Sequence, residues 1–276
     1  MTYNNVAFYH KGVTALLVKT ICKRYENAMK TTFSDHLYDM CYPPGIEYHW
    51  WTLARNRLLA NILRSESGGT GVFLEVGCGK GVVVKSLKDR GFNIHGVELA
   101  NVEPMEGAQL LVDSGTDACE WAIERRSQIT GLLLLDVLEH LPEPEEFLKK
   151  LESSFPKLAV IIITVPTCQE IWSNYDSFCG HYRRYTLGML DELATQLKWK
   201  TKSAGYFFRF PYLPMRLMSL LGVDRNTKIN PPGKMMRPLH RLVSAACQLE
   251  QALVPGRIRG SSAYGVYYTD RVGQTQ

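Results

Sequence analysis

Apolar residues in this chain first recur at helical spacing and then fall into short unbroken runs, and the change of rhythm marks the entry to the main domain. Residues 12–29 and 46–64 are predicted as helices. In the second, Trp51, Leu53, Leu58, Leu59 and Ile62 keep roughly helical spacing, with Arg55 and Arg57 between them. Pro43, Pro44 and Gly45 separate the two helices, and the Ser/Gly-rich residues 65–71 read as a loop. Strands then alternate with helices. The predicted strands are 72–76, 94–98, 108–112, 132–137, 158–165, 200–208 and 262–268, and the predicted helices 81–90, 118–126, 143–153 and 187–197. Short apolar strands separated by helices predict a mainly parallel sheet covered on both faces, an α/β fold. An insertion of about fifty residues precedes the last strand. It holds an apolar stretch at 212–222 and an amphipathic helix at 237–253, in which Leu239, Leu242, Val243, Ala246 and Leu249 share a face. The expected organisation is an N-terminal helical segment (1–66), a core (67–208), a helical insertion (209–258) and a closing strand with a tail (259–276).

Composition narrows the picture. The 276 residues are 45% apolar with a net charge of +5, a globular chain with a mild basic tilt. Basic residues are scattered apart from the pairs Arg125-Arg126 and Arg183-Arg184, so no nucleic-acid partner is expected. The seven cysteines (22, 41, 78, 119, 168, 179 and 247) form no CxxC pair, which fits reduced thiols and a cytoplasmic location. The first twenty residues lack the pattern of a secretory signal. The runs Leu132–Leu135 and Val160–Val165 suit buried strands and are too short to span a bilayer.

The chemistry concentrates after the first predicted strand, in Leu74-Glu75-Val76-Gly77-Cys78-Gly79-Lys80-Gly81. Glycines there let the backbone turn sharply and approach a ligand, and the N–H groups of the following helix favour an anionic group. Glu75, two places before the first glycine, can accept from an amino group. Glu98 ends the second strand about twenty residues on, where a carboxylate takes ribose hydroxyls. An NAD-dependent enzyme is the natural competitor, although the spacing is GxGxG rather than GxGxxG. The run 131–142 is a strand ending in Asp136, followed by Val137, Glu139, His140 and Pro142; Pro142 is expected to start a helix with Glu143, Glu145 and Glu146 in its first turn.

Together these motifs resemble the class I S-adenosylmethionine (SAM)-dependent methyltransferases, and more narrowly the branch with ubiquinone-biosynthesis O-methyltransferases and uncharacterised small-molecule methyltransferases. The resemblance covers residues 71–165. It implies a Rossmann-like seven-stranded sheet with its last strand antiparallel, with N-terminal helices and the insertion as a lid. It implies SAM as cofactor and S-adenosylhomocysteine (SAH) as product. Glu75, Gly77, Cys78, Gly79 and Gly81 would hold the methionine end, Glu98 the ribose, and Leu99 would lie along the adenine. Asp117, or alternatively Asp113, would meet the adenine amino group, and Asp136 and Val137 would line the methyl-donor end. The stretch from Glu98 to Asp117 is short and contains Pro104, so the usual third helix is expected to be reduced.

Two outer segments extend the likeness. Residues 47–55 resemble an HWW-x-x-x-R segment, giving His49, Trp50, Trp51 and Arg55 as substrate contacts; residues 180–186 resemble H-x-R-R-Y-[ST], giving His181, Arg184 and Tyr185, with Thr186 as a helix N-cap. Packing is the competing role for the two tryptophans. His140 and His181 are the candidate bases. No metal is expected, because Glu139 and His140 are adjacent and two residues do not make a ligand set. Thr164-Val165-Pro166-Thr167 replaces the [ND]-P-P-[YF] motif of enzymes acting on amide or base-ring amino nitrogens. The expected acceptor is a small molecule: a sugar, phenol, amine or lipid-linked precursor. The alternatives are an RNA or protein methyltransferase and a SAM-binding protein without catalysis. Residues 207–223, rich in Phe, Leu, Met and Pro, either pack on the lid or rest weakly on a membrane surface. Oligomeric state is not readable.

Overall fold

The computed structural model describes residues 35–67 and 70–270. The helix expected at 12–29 lies outside the described residues. Seven strands form one sheet: β1 (Val72–Val76), β2 (Asn93–Glu98), β3 (Val112–Ser114), β4 (Gly131–Leu135), β5 (Val160–Pro166), β6 (Lys200–Phe207) and β7 (Ser262–Tyr268). Their order is β3-β2-β1-β4-β5-β7-β6, with β7 antiparallel to both its neighbours and the other pairings parallel. The helices are α1 (Asp35–Cys41), α2 (Trp50–Ser67), α3 (Val82–Lys88), α4 (Ile123–Arg126), α5 (Pro144–Ser154), α6 (Asn174–Phe178), α7 (Leu187–Gln196), α8 (Tyr212–Leu220) and α9 (Arg237–Leu253).

The central strands β4 and β5 are apolar at successive positions because both faces are covered. Leu132, Leu134, Ile161 and Ile163 point into a core that includes Leu148 and Leu151 of α5 and Leu190 and Leu193 of α7. Phe73, Leu133, Leu135 and Ile162 point the other way, toward Leu59 and Leu63 of α2 and Val83, Val84 and Leu87 of α3. Gly131 is small for a reason: a Cβ there would lie 2.6 Å from the Phe73 ring across the β1–β4 pairing.

Several expectations shift. The third strand is Val112–Ser114 rather than 108–112, because Ala108 packs in a turn beneath Gly81, whose added Cβ would lie 3.1 Å from that of Ala108. The apolar run there serves that packing, and no helix lies between β2 and β3, as the short Pro104 segment predicted. The helix expected over 118–126 shrinks to Ile123–Arg126, since Asp117 Oδ1 accepts from the Cys119 N–H at 2.8 Å and holds 117–119 as a turn. The helix after β4 starts at Pro144, not Pro142, with Glu145 and Glu146 in its first turn and Glu143 ahead of it. Helix α6, closed by a Ser173–Asp176 capping box, was not foreseen. Thr186 does cap α7, accepting from the Met189 N–H.

The insertion departs most. Leu239, Leu242, Ala246 and Leu249 of α9 do share a face, but that face points to solvent and only Val243 is half-buried. What α9 turns inward is largely polar beside the buried Cys247: His240 Nδ1 accepts from the Trp50 N–H at 3.0 Å, and Gln248 Nε2 donates to the Ala54 carbonyl at 3.0 Å.

Candidate functional site

At the C-terminal ends of β1, β2 and β4, where the strand order reverses between β1 and β4, the chain gathers its acidic and glycine-rich residues. Open α/β sheets bind ligands at such a switch point. Gly77, Gly79 and Gly81 all have left-handed backbones (φ 75, 54 and 79°), so the loop folds over the strand end and delivers the chain to the start of α3. The N–H groups of Gly77 and Cys78 donate to the Val97 carbonyl at 2.9 and 3.2 Å, tying the loop to β2. The Cys78 side chain itself is core, beneath Gly96.

Glu98 is the hinge of the site. Its Oε2 accepts from the Gly79 N–H at 2.8 Å, and its Oε1 from the Tyr38 hydroxyl at 2.9 Å and the Ala100 N–H at 3.1 Å. Tyr42 lies against Gly79 so closely that a Cβ there would sit 2.6 Å from its ring. Tyr38 and Tyr42 stack on each other and cover the loop. The sequence analysis missed both; their i,i+4 spacing ahead of Pro43 was the available signal.

Glu75 is buried with Oε2 unpaired among the described residues. Burial pushes its carboxyl up to about 8, with the Arg55 charge pulling the other way. Arg55, expected beside the acceptor, instead pairs with Asp136 at 2.5 Å and stacks 4.2 Å above the Trp51 ring. Asp136 has φ 56°, a strained value for a non-glycine residue of the kind that gathers at working sites, and its Oδ1 accepts from the Thr164 hydroxyl at 3.3 Å. Val137 stands beside the loop, 3.0 Å from where a Gly77 Cβ would lie, and Leu99 is exposed at the rim. Of the two adenine candidates, Asp113 is engaged by the Trp121 indole N–H (2.6 Å) and Arg125 (2.5 Å); Asp117 holds its own turn and pairs with Lys150 at 3.2 Å.

A second cluster adjoins the first. One ligand atom from each of Glu139, His140 and His181 falls within 4.8 Å of the other two. The two imidazoles meet edge to face at 4.8 Å between centroids. His181 Nδ1 is bonded to Asp176 Oδ1 at 2.9 Å, and Arg184 forks onto the same carboxylate at 2.8 and 3.0 Å. Burial works against the Asp176 charge, but the His181 hydrogen bond and Arg184 outweigh it and hold the carboxyl at about 2. Burial, then His181, lowers His140 to about 4; burial, then Asp136, pushes Glu139 well up. Glu139 Oε2 is buried with no hydrogen-bond partner among the described residues. An unpaired buried carboxylate beside two imidazoles is a donor set that suits a divalent transition metal or zinc.

Arg184 and Tyr185, expected in the substrate wall, are buried and turned inward, which corrects that reading. Arg184 also donates to the Thr167 carbonyl at 3.0 Å, and the Tyr185 hydroxyl to the Leu138 carbonyl at 3.0 Å. Arg184 shares Asp176 with His181 instead. Replacing Arg184 with Leu leaves Asp176 charged and buried, and is expected to cost about 3–5 kcal/mol in urea unfolding. His49 and Trp50 are occupied in packing: His49 meets His240, and Trp50 meets Phe208 and Phe210. A cleft of about 280 Å³ lies between residues 172–177 and the insertion, and Trp172 on its wall has its ring 6.5 Å from that of His181.

Comparison with known proteins agrees with this geometry. A family profile described as a methyltransferase domain matches residues 50–203. The ubiquinone biosynthesis O-methyltransferase of Escherichia coli strain SMS-3-5 is 25% identical over 142 residues, 45% of this chain and 58% of that protein. Its counterpart in Escherichia coli O6:H1 is 26% identical over 123 residues, 38% of this chain and 51% of that one. The chain thus spans between half and three-fifths of the length of these relatives. Among solved structures, the plantazolicin methyltransferase BpumL with SAH shares the fold at a TM-score of 0.50 and 15% identity, covering 85% of this chain and 88% of that one. The chain belongs to the methyltransferase-domain family, within the class I SAM-dependent methyltransferase superfamily.

Proposed function

We propose that this chain moves the methyl group of SAM to an oxygen or nitrogen of a small-molecule acceptor and releases SAH. The observation that carries the reading is the joining of the left-handed glycine loop to Glu98 through the Gly79 N–H, beside the buried carboxyl of Glu75, whose Oε2 has no partner among the described residues. In this reading Glu75 takes the ammonium of the methionine moiety, the 77–81 loop its backbone, and Arg55 its carboxylate. Glu98 takes the ribose, and the Tyr38 hydroxyl yields Oε1 when it does. Leu99 lies along the adenine, with Asp117 at its amino group. Asp136 and Val137 flank the sulfonium.

The donor is activated by its own positive sulfur, so the protein's work is to align an in-line displacement and keep water out. A hydroxyl acceptor also sheds a proton. With Nδ1 held by the Asp176 carboxylate at 2.9 Å, His181 leaves Nε2 as the atom that would take the proton. His140, at about 4, is too weak a base near neutral pH. Alternatively, with His181 Nε2 engaged as a ligand rather than as the base, Glu139, His140 and His181 would hold a divalent cation, which would supply Lewis-acid polarisation of the acceptor oxygen.

The basic pairs lend no support to a nucleic-acid substrate. Arg125 is spent on Asp113, Arg126 on the carbonyls of Trp121 and Ser154, Arg183 on that of Pro142, and Arg184 on Asp176.

Glu75 offers a test with a definite sign. Its carboxyl, pushed up to about 8, is mostly protonated at pH 7. An ammonium partner favours the ionised form, so SAM binding at pH 7 is expected to expel a proton from Glu75. Above about 8 the group is already ionised and this release fades. Calorimetry in two buffers of different ionisation enthalpy reads the release, and Glu75→Gln removes it. Acceptor identity is tested by SAH formation across panels of phenols, sugars and amines; a panel-wide absence of SAH with SAM bound would favour the non-catalytic alternative.

A further inference from the structure

Both long helices of the insertion are turned inside out. On α8, Leu213, Leu217 and Leu220 face solvent, while Tyr212, Arg216 and Ser219 face the protein and all bond to Glu170. On α9, Leu239, Leu242, Leu249 and Leu253 face solvent, the last 72% exposed. The buried positions there are Ser244 and Cys247, with Glu250 accepting from the N–H groups of Arg209 and Phe210. Polar groups, with Met215 on α8 and Cys247 on α9 as apolar company, anchor each helix, and the leucines are left outside rather than packed on the core.

Charge follows the same segment. Residues 209–260 hold nine lysines and arginines against two acids, a surplus of seven in a chain whose net charge is +5; the remaining 224 residues are therefore net −2. Of the seventeen large hydrophobic residues exposed among those described, thirteen lie in this segment, so apolar area and positive charge are concentrated together. Lys228, Lys234, Arg241 and Arg257 are exposed among the leucines.

We infer that the insertion is a docking face for an anionic lipid bilayer, with α8 and α9 lying in the headgroup plane. In-plane helices take their affinity from buried apolar side chains plus attraction to acidic lipids, and this segment supplies both. No helix among the described residues is long and apolar enough to cross a membrane. A second copy of the chain fits less well, because a two-fold contact sets this positive surface against itself. Nucleic acid fits less well, because leucines stand where phosphates need cations.

Flotation with full-length protein decides it. Vesicles containing phosphatidylglycerol are expected to carry the protein upward, pure phosphatidylcholine vesicles much less, and high salt to weaken the association. Leu217→Glu with Leu242→Glu, and separately Lys234→Glu with Arg241→Glu, are expected to reduce binding at least about tenfold while leaving SAM affinity and the melting temperature unchanged. These side chains are exposed, so the substitutions do not open the core. The proposal is overturned if wild-type protein stays with the soluble fraction beside anionic vesicles, or if both double variants float like wild type. It is equally overturned if sedimentation shows a dimer that the leucine variant dissociates, or if single-stranded RNA binds and vesicles do not.

Discussion

Glu98→Ala is expected to weaken SAM binding by roughly 100-fold, about 3 kcal/mol. Two losses combine in that figure. The ribose loses its carboxylate acceptor, and the Gly79 N–H loses the partner that holds the glycine loop at 2.8 Å. Glu98→Gln keeps an acceptor oxygen for Gly79 but not the charge, and is expected to fall about tenfold, since a hydrogen bond to a charged group is worth roughly twice a neutral one. Calorimetric titration separates the two, and full affinity in the alanine variant would remove Glu98 from the site. Tyr38→Phe is the informative companion. It frees Oε1 from the Tyr38 hydroxyl, so it tightens binding if that hydroxyl competes with the ribose.

The second large effect lies in the Glu139–His140–His181 cluster. Wild-type protein is expected to bind zinc or manganese, and Glu139→Gln to lose that binding by about two orders of magnitude while SAM affinity holds, because a carboxylate ligand is exchanged for a weak neutral one. Metal analysis of purified protein and calorimetry with each ion read this without any acceptor. Once an acceptor is found, chelation is expected to lower turnover by about 1,000-fold, the scale of a few kcal/mol of charge stabilisation. If chelation changes nothing and His181→Ala alone abolishes turnover, the cluster is a base held by Asp176 and carries no metal.

The sheet was legible because its central strands, β4 and β5, are unbroken apolar runs, and β7 and α9 fall where the residue pattern put them. The third strand was misplaced because Ala108 and Leu111 are apolar for a turn packed under the glycine loop, and a run of apolar residues does not say which. The loop, Glu75, Glu98 and Asp136 were legible because their spacing is local to strand ends. The pairing of Arg55 with Asp136 was not legible because the two lie 81 residues apart, and only the fold joins them. His181, the third member of the Glu139–His140–His181 cluster, lies 41 residues beyond His140, so its place there was hidden for the same reason. Amphipathicity announced a face on α9 but not its direction, since the pattern is identical whether the stripe meets a core or solvent.

The central claim is that the loop between β1 and α3 is a SAM site, and one calorimetric titration of the full chain with SAM addresses it. Saturable binding at a single site is expected, displaced by SAH, with no binding of NADH and none of SAM to Gly79→Val, whose side chain would enter the Tyr42 ring. Absence of SAM binding to the wild type, or SAM affinity undiminished in Gly79→Val, would contradict it.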